Sequence, residues 1–453
     1  MKKIYALLFA LSMMASAHAS HLMGGEILAR SIGNNSYEVL LVIYRDTLGI
    51  PVAQTATLDV YDSQGNIAFS QTMNLDTVYS GTLLPTSAYG VEIYGYFDTL
   101  TFPGPDTYSL TWSTCCRNAA ILNLSQPGSE SMWLKTELMV DTSNNSTPVF
   151  LTTPVLVVPA DTVWTHNPLP FDADGDSLVW SLDTPMNMNG QACAGYTLPP
   201  SDSAGPFSMD PITGTISWDP AALGNYVTSI LVEEYRNGVK IGEIRRDLQF
   251  IVVPDSSSLR IANIAQIPTD QNGHYRLDMT TDAPMSFDLV ASSDVNTEMD
   301  AYGAIFEFDS NPAVFSKTYT DLGKTVTGNI SWVPTADQAS DEPYIVVYRV
   351  NDKTFSFDLS ILYHVHERGV GMEETKMDPV KIFPNPSTEG IYLELPEGQT
   401  LVNIYSLDGK LMKSTQLNSQ VGPRYLQHDL PSGTYVVEFN QGFRSVKTTM
   451  VVL

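Results

Sequence analysis

Cysteine, basic residues and long apolar runs are all scarce in this chain, and each scarcity removes a class of function. Three cysteines occur in 453 residues, too few for a dense disulfide framework and without the paired spacings of a structural zinc site. Lys and Arg number 24 against 50 Asp and Glu, a net charge of −26. That balance argues against a nucleic-acid backbone or an anionic membrane as a partner, while cations, basic proteins and neutral glycans fit. Beyond the first twenty residues no stretch approaches the eighteen apolar residues that a membrane helix needs. No His-Glu-x-x-His, no Gly-x-Ser-x-Gly and no Gly-rich phosphate loop occurs, so no enzyme motif stands out. His364 and His366 share a strand face at spacing two, but no neighbouring cysteine or clustered carboxylate completes a ligand set.

What remains is β-protein. Ser36 to Tyr44, Ala56 to Tyr61, Tyr89 to Tyr96 and Thr107 to Trp112 are short β-branched or aromatic runs punctuated by Gly, Pro, Asn and Asp. Such spacing predicts an all-β chain of tandem Ig-like sandwiches. The length accommodates several cores. The linker-like Ser143-Asn144-Asn145-Ser146-Thr147-Pro148 ends a first sandwich, 20–146. The next two, 147–254 and 255–368, read as relatives. Gly214-Thr215-Ile216-Ser217-Trp218 recurs as Gly328-Asn329-Ile330-Ser331-Trp332, and Asp247-Leu248-Gln249-Phe250 is echoed by Asp358-Leu359-Ser360-Ile361. Two echoes at nearly one period predict a duplicated module, with Ile and Trp facing the core and Ser outward.

The first copy carries Phe171-Asp172-Ala173-Asp174-Gly175-Asp176-Ser177, which the second lacks. Three carboxylates at alternate positions around a glycine can converge on a hard cation such as calcium, with Glu233 or Glu234 as further ligands. The spacing is not that of an EF-hand. An Asp-rich turn capping its own backbone amides is the competing reading. The segment, with Asp210-Pro211-Ile212-Thr213-Gly214, resembles the cadherin-like or Ig-like modules of bacterial surface proteins.

The two ends read as addresses. Lys2 and Lys3 precede the apolar run Ile4 to Met14, and Ala17-His18-Ala19 offers a cleavage site between Ala19 and Ser20. That is the pattern of a signal peptide, 1–19, with a second site after Ala17. After a linker, 369–378, the segment 379–453 forms a compact β-domain. Phe383-Pro384-Asn385-Pro386-Ser387 forces a turn, Leu407-Asp408-Gly409-Lys410 is a hairpin signal, and Leu430-Pro431-Ser432-Gly433-Thr434-Tyr435 breaks the chain before a late strand. This order resembles the type A C-terminal sorting domain of the type IX secretion system, though the chain lacks the final basic residue many members carry. The resemblance implies a sorting motif at Pro384, Asn385, Pro386, Gly409, Lys410, Gly433 and Tyr435. It also implies passage through the type IX machinery and either attachment to surface lipopolysaccharide or release.

A second resemblance covers residues 20 to about 254. His21-Leu22-Met23-Gly24-Gly25-Glu26-Ile27, Tyr44-Arg45-Asp46, Cys115-Cys116-Arg117-Asn118-Ala119 and Val232-Glu233-Glu234-Tyr235-Arg236 look like a group of secreted proteins found with type IX secretion, some associated with gliding or adhesion. No activity follows from it. Among Cys115, Cys116 and Cys193, adjacent side chains on a strand end leave on opposite faces, which favours a bond from Cys193 to one of the pair. A bond between the neighbours is the alternative. The expectation is an exported, non-enzymatic adhesion or structural protein with a glycan or protein ligand, acting at the cell surface or released. A secreted hydrolase of glycosidase type, with an unrecognised carboxylate pair, is the alternative.

Overall fold

The computed structural model describes residues 22–47, 49–78, 80–83, 90–188, 190–202, 205–254, 257–352, 354–368, 375–376, 380–395, 398–419, 423–441 and 444–453. The expected signal peptide with its Ala19–Ser20 cleavage site, His21 and most of the linker 369–378 lie outside them. No α-helix occurs among the described residues, and none is long and apolar enough to cross a membrane. The chain is all-β, divided into two units, Met1–Glu367 and Arg368–Leu453.

The first unit opens with eight strands: β1 Leu22–Gly33, β2 Ser36–Asp46, β3 Thr55–Tyr61, β4 Ile67–Asp76, β5 Thr82–Leu83, β6 Val91–Thr101, β7 Asp106–Cys115 and β8 Ser131–Val140. The first repeat follows as β9 Val149–Phe150, β10 Val155–Pro159, β11 Trp164–His166, β12 Pro170–Phe171, β13 Ser177–Asp183, β14 Ser208–Met209, β15 Ile216–Trp218, β16 Gly224–Arg236 and β17 Val239–Val253. The second contains β18 Arg260–Ile261, β19 Tyr275–Thr280, β20 Met285–Ser292, β21 Glu298–Tyr302, β22 Val314–Thr320, β23 Thr325–Trp332, β24 Tyr344–Asn351 and β25 Ser356–His366.

The boundary expected between residues 146 and 147 does not separate two sandwiches, because one sheet crosses it. Its order runs β1-β2-β6-β4-β3-β7-β8-β17-β16-β13, and β1 also pairs with β17, closing β1, β2, β6, β4, β3, β7, β8 and β17 into a ring. β17 is responsible: its 15 residues pair with β16 along most of their length, with β8 at Gly242–Ile244, with β1 at Asp247 and with β10 beyond. The ring encloses a core that includes Ile27, Leu41, Leu58, Met73, Leu110 and Leu134.

The two repeats have one topology. In the first, β10-β17-β16-β13 faces β11-β15-β14; in the second, β19-β25-β24-β21 faces β20-β23-β22, with β18 added at the edge. β10 runs parallel to β17 as β19 does to β25. The Gly-x-Ile-Ser-Trp echo sits at the same place in both. Ile216, Trp218, Ile330 and Trp332 are buried while Ser217 and Ser331 turn outward, as strand alternation requires. Each indole N–H donates to a backbone carbonyl, Trp218 to Pro200 at 3.0 Å and Trp332 to Asn311 at 2.9 Å.

The second unit contains β26 Thr375–Lys376, β27 Lys381–Phe383, β28 Gly390–Glu394, β29 Gly398–Ser406, β30 Leu411–Ser419, β31 Arg424–Gln427, β32 Gly433–Gln441 and β33 Arg444–Val452. The sheets β26-β33-β32-β29-β30 and β27-β28-β31 enclose Ile391, Leu393, Ile404, Val437, Phe439 and Met450.

Candidate metal centre

The loop between β12 and β13 brings together two of its three aspartates and a strand residue. One carboxylate oxygen each from Asp172, Asp176 and Glu234 lie within 4.8 Å of one another. Asp174, expected as a ligand, is exposed and accepts the amide N–H of Ser146 at 2.6 Å. Glu233 is also absent from the cluster, because strand alternation turns it to the other face, where it holds Lys240 at 2.6 Å. Both readings of the acidic loop have a share in Asp172. Its Oδ1 caps the turn, accepting the amides of Asp174 and Asp176 at 2.9 and 3.0 Å, while its Oδ2 is buried without a hydrogen-bond partner.

Glu234 is the unusual member. It is 0% exposed, and neither carboxylate oxygen makes a hydrogen bond. Burial pushes its carboxyl up to about 8, helped by the negative charges of Asp172 and Asp176; burial also raises Asp172. The Asn145 side chain offsets only part of the burial of Glu234, so Glu234 holds a proton at neutral pH unless a cation takes its place. Asp176 differs because it accepts from Arg236 Nε at 2.7 Å, and the same guanidinium donates to Asn145 at 2.6 Å. Three carboxylates and one guanidinium leave two negative charges. An oxygen-only donor set of that charge fits a hard divalent cation such as calcium.

The other motif residues of the first unit build joints that no local pattern predicts. Gly24 and Gly25 let β1 lie against its neighbours: a Cβ on Gly24 would fall 2.6 Å from the Asp247 carbonyl oxygen, and one on Gly25 2.6 Å from that of Val42. Next to them Glu26 takes both ends of the buried Arg246 guanidinium at 2.6 and 2.8 Å. Arg117 is 0% exposed and holds Asp247 in a two-pronged pair at 2.7 and 2.8 Å. Asp358 is gripped by Arg349 at 2.8 Å on both oxygens and also touches His166 Nδ1 at 2.7 Å and the Asn167 amide at 2.9 Å. The sequence signal was faint: charged residues inside the apolar strand pattern of β17 and β25.

The cysteines pair otherwise than expected. Cys115 and Cys116 are bonded to each other and Cys193 is a free, buried thiol. β7 ends at Cys115, so the pair does not obey the opposite-face rule of a continuing strand. Cys193 packs with Ile121, Leu124 and Val227, and burial pushes its thiol up to about 11.

In the second unit the sorting-motif residues serve as ties. The turn Pro384-Asn385-Pro386 presents the Asn385 amide to β33, donating to Thr449 O at 2.9 Å and accepting from Val451 N at 2.8 Å. Gly409 supplies a positive φ of 85° in the turn closed between Ser406 and Lys410. Gly433 opens β32, and Tyr435 donates to Pro431 O at 2.7 Å. This arrangement fixes the path of the last strand.

This small sandwich is a type IX secretion domain: residues 381–453 match the family described as "Secretion system C-terminal sorting domain". The protein is accordingly exported across the outer membrane to the cell surface or the extracellular space, and the domain engages the type IX machinery. Among solved structures, the chain is similar to Dpr2 Ig1-Ig2 in complex with DIP-Theta Ig1-Ig3, at 10% identity, covering 72% of this chain and 94% of that one with a TM-score of 0.18. It is similar to the N-terminal eight Ig domains of the Down Syndrome Cell Adhesion Molecule at 11% identity, covering 95% and 49%, TM-score 0.20. It is also similar to the endo-fucoidan hydrolase MfFcnA4 from glycoside hydrolase family 107 at 13% identity, covering 71% and 43%, TM-score 0.16. At these scores the likenesses carry no functional conclusion. No curated protein matches the chain.

Proposed function

We propose that this chain is a non-enzymatic adhesion or structural protein of the cell surface, whose first repeat binds a divalent cation. The observation that carries the reading is the way its modules are locked: a shared sheet and the buried Arg117–Asp247 pair join ring to first repeat, and His166–Asp358 joins first repeat to second. Joints of this kind hold successive sandwiches at fixed angles, which suits a surface protein that must present a ligand site at a distance from the membrane. Attachment through surface lipopolysaccharide belongs to the same reading.

Calcium is the cation of choice for Asp172, Asp176 and Glu234. When bound, it would replace the proton of Glu234 and supply the charge that the buried cluster lacks. Because Arg236 also reaches Asn145, the ordered cluster would fasten the segment that leaves β8. Calorimetric titration of the full chain with calcium tests this: binding accompanied by proton release is expected, and its survival in Glu234→Gln would overturn the assignment. The wider reading is tested in the native cells. Cells lacking the protein should attach less to glycan- or protein-coated surfaces, whereas release of reducing sugar ends by the purified chain would favour a hydrolase.

A further inference from the structure

A groove of about 750 Å³ runs over the outer face of the ring, outside the metal centre and the joints. Its floor is the solvent side of β7 and β8. Alternation places Ser109 and Thr111 of β7 beside Glu137 and Lys135 of β8, each pair in direct register. Tyr61, at the end of β3, and Trp133, on β8, contribute the aromatic surface, and both are half-buried. Met188 and Gly190 of the first repeat reach this groove, with Gly190 close against the Trp133 ring. There a Cβ on Gly190 would lie 3.4 Å from the indole, in ordinary van der Waals contact.

The acids of the groove outnumber its bases, since Asp62 and Glu137 line it with Lys135. Lys135 lies between Glu137 at 2.7 Å and Glu243 at 2.9 Å, and Ser109 donates to Glu137 at 3.3 Å. The one lysine is thus committed to two carboxylates, and an acidic polymer finds no unshared cation among the described groove residues. What the groove offers is aromatic surface bordered by hydroxyls and by a lysine shared between two carboxylates. That combination matches a molecule with apolar C–H faces and a hydroxyl periphery.

We propose that this groove is a binding site for a neutral oligosaccharide. The proposal rests on the adhesion reading and names its ligand class. The ring would stack a sugar face on Tyr61 and Trp133, while Thr111, Ser109 and Glu137 exchange hydrogen bonds with its hydroxyls. The volume lies within the range of about 300–1,000 Å³ usual for ligand sites.

The test is calorimetric titration of the full chain with neutral hexasaccharides of glucose, mannose, galactose and N-acetylglucosamine. At least one should bind, and Tyr61→Ala should weaken it about tenfold while Tyr61→Phe retains it. Tyr61→Phe keeps the packing of this half-buried ring and so controls for folding; Thr111→Val serves as a second probe that keeps side-chain volume. Binding that is indifferent to Tyr61→Ala and Thr111→Val would overturn the groove assignment. So would capture of peptides or acidic glycans alone. If cells carrying the protein adhere but none of the hexasaccharides binds, the groove assignment falls and the adhesion reading stands; if neither occurs, both fall.

Discussion

Asp247 of the first repeat and Asp358 of the second hold matching positions on the last strand of their sandwiches, but the residues across the ladder differ. Asp247 faces Ser229, whereas Asp358 faces Arg349. The second repeat therefore neutralises its buried aspartate from its own neighbouring strand, and the first takes its arginine, Arg117, from the segment that joins β7 to β8. In both cases the preceding module reaches in: Arg117 in the first, His166 and the Asn167 amide in the second. One duplicated position has become the joint on each side, and the difference in wiring decides which modules can stand alone. The ring and the first repeat share a strand and a counter-charge, so they form one folding unit, while the second repeat carries its own arginine.

The largest effect should come from removing those arginines. Arg117→Met leaves Asp247 buried with only Ser229 beside it, a loss expected to cost about 3–5 kcal/mol. Hydrogen exchange on the full chain should show lost protection in both the ring and the first repeat. Arg349→Met should cost a similar amount, but with lost protection centred on the second repeat. Equal spreading of the damage from the two substitutions would break the comparison. Replacing Arg117 and Asp247 together by apolar residues should recover most of the loss.

A smaller effect is expected at the close approach of β1 to β17. Gly24→Ala puts a methyl 2.6 Å from the Asp247 carbonyl oxygen, so strand must move from strand, costing about 1–3 kcal/mol. Chemical denaturation should show this as a lowered midpoint for the ring and first repeat. Gly65→Ala, in a turn where an added Cβ meets nothing, separates packing from conformation, because its positive φ of 81° gives it a strain cost of only about 1 kcal/mol.

Local patterns made the sandwiches legible and long-range partners made the joints illegible. Ile216, Trp218, Ile330 and Trp332 were readable because alternation along a strand fixes which face is buried. The turn at Pro384-Asn385-Pro386 was readable for the same local reason. The closing of the ring was not, since β17 pairs with β1 across more than two hundred residues of chain, and nothing in Gly24-Gly25 names its partner. Arg117 meets Asp247 at a separation of 130. The acidic loop fell between these cases. Its spacing announced a cluster, but the turn aims Asp174 at the Ser146 amide, and the alternation of β16 selects Glu234 over Glu233.

The prediction that separates the two sites most clearly is a pair of opposite pH slopes. Glu234 has its carboxyl raised from 4.5 to about 8 by burial and by Asp172 and Asp176. Its contribution to stability is full below 4.5 and is lost as pH rises through about 8. His166 has its ring lowered from 6.5 to about 4, chiefly by burial. Its contribution is full above 6.5 and is lost as pH falls through about 4. Each slope is about 1.4 kcal/mol per pH unit at most. Between 4.5 and 6.5 they oppose and flatten the curve; from 6.5 to 8 only the Glu234 slope remains, and stability should fall as pH rises. Denaturation midpoints measured across this range should show that upper limb in the wild-type chain without calcium. Glu234→Gln should remove it, because no proton is then lost, and saturating calcium should remove it too, because the cation stands where the proton stood. An upper limb that persists in Glu234→Gln would mean that the buried charge of the first repeat lies elsewhere. One abolished by the substitution but not by calcium would leave Glu234 as a buried acid and dismiss it as a ligand.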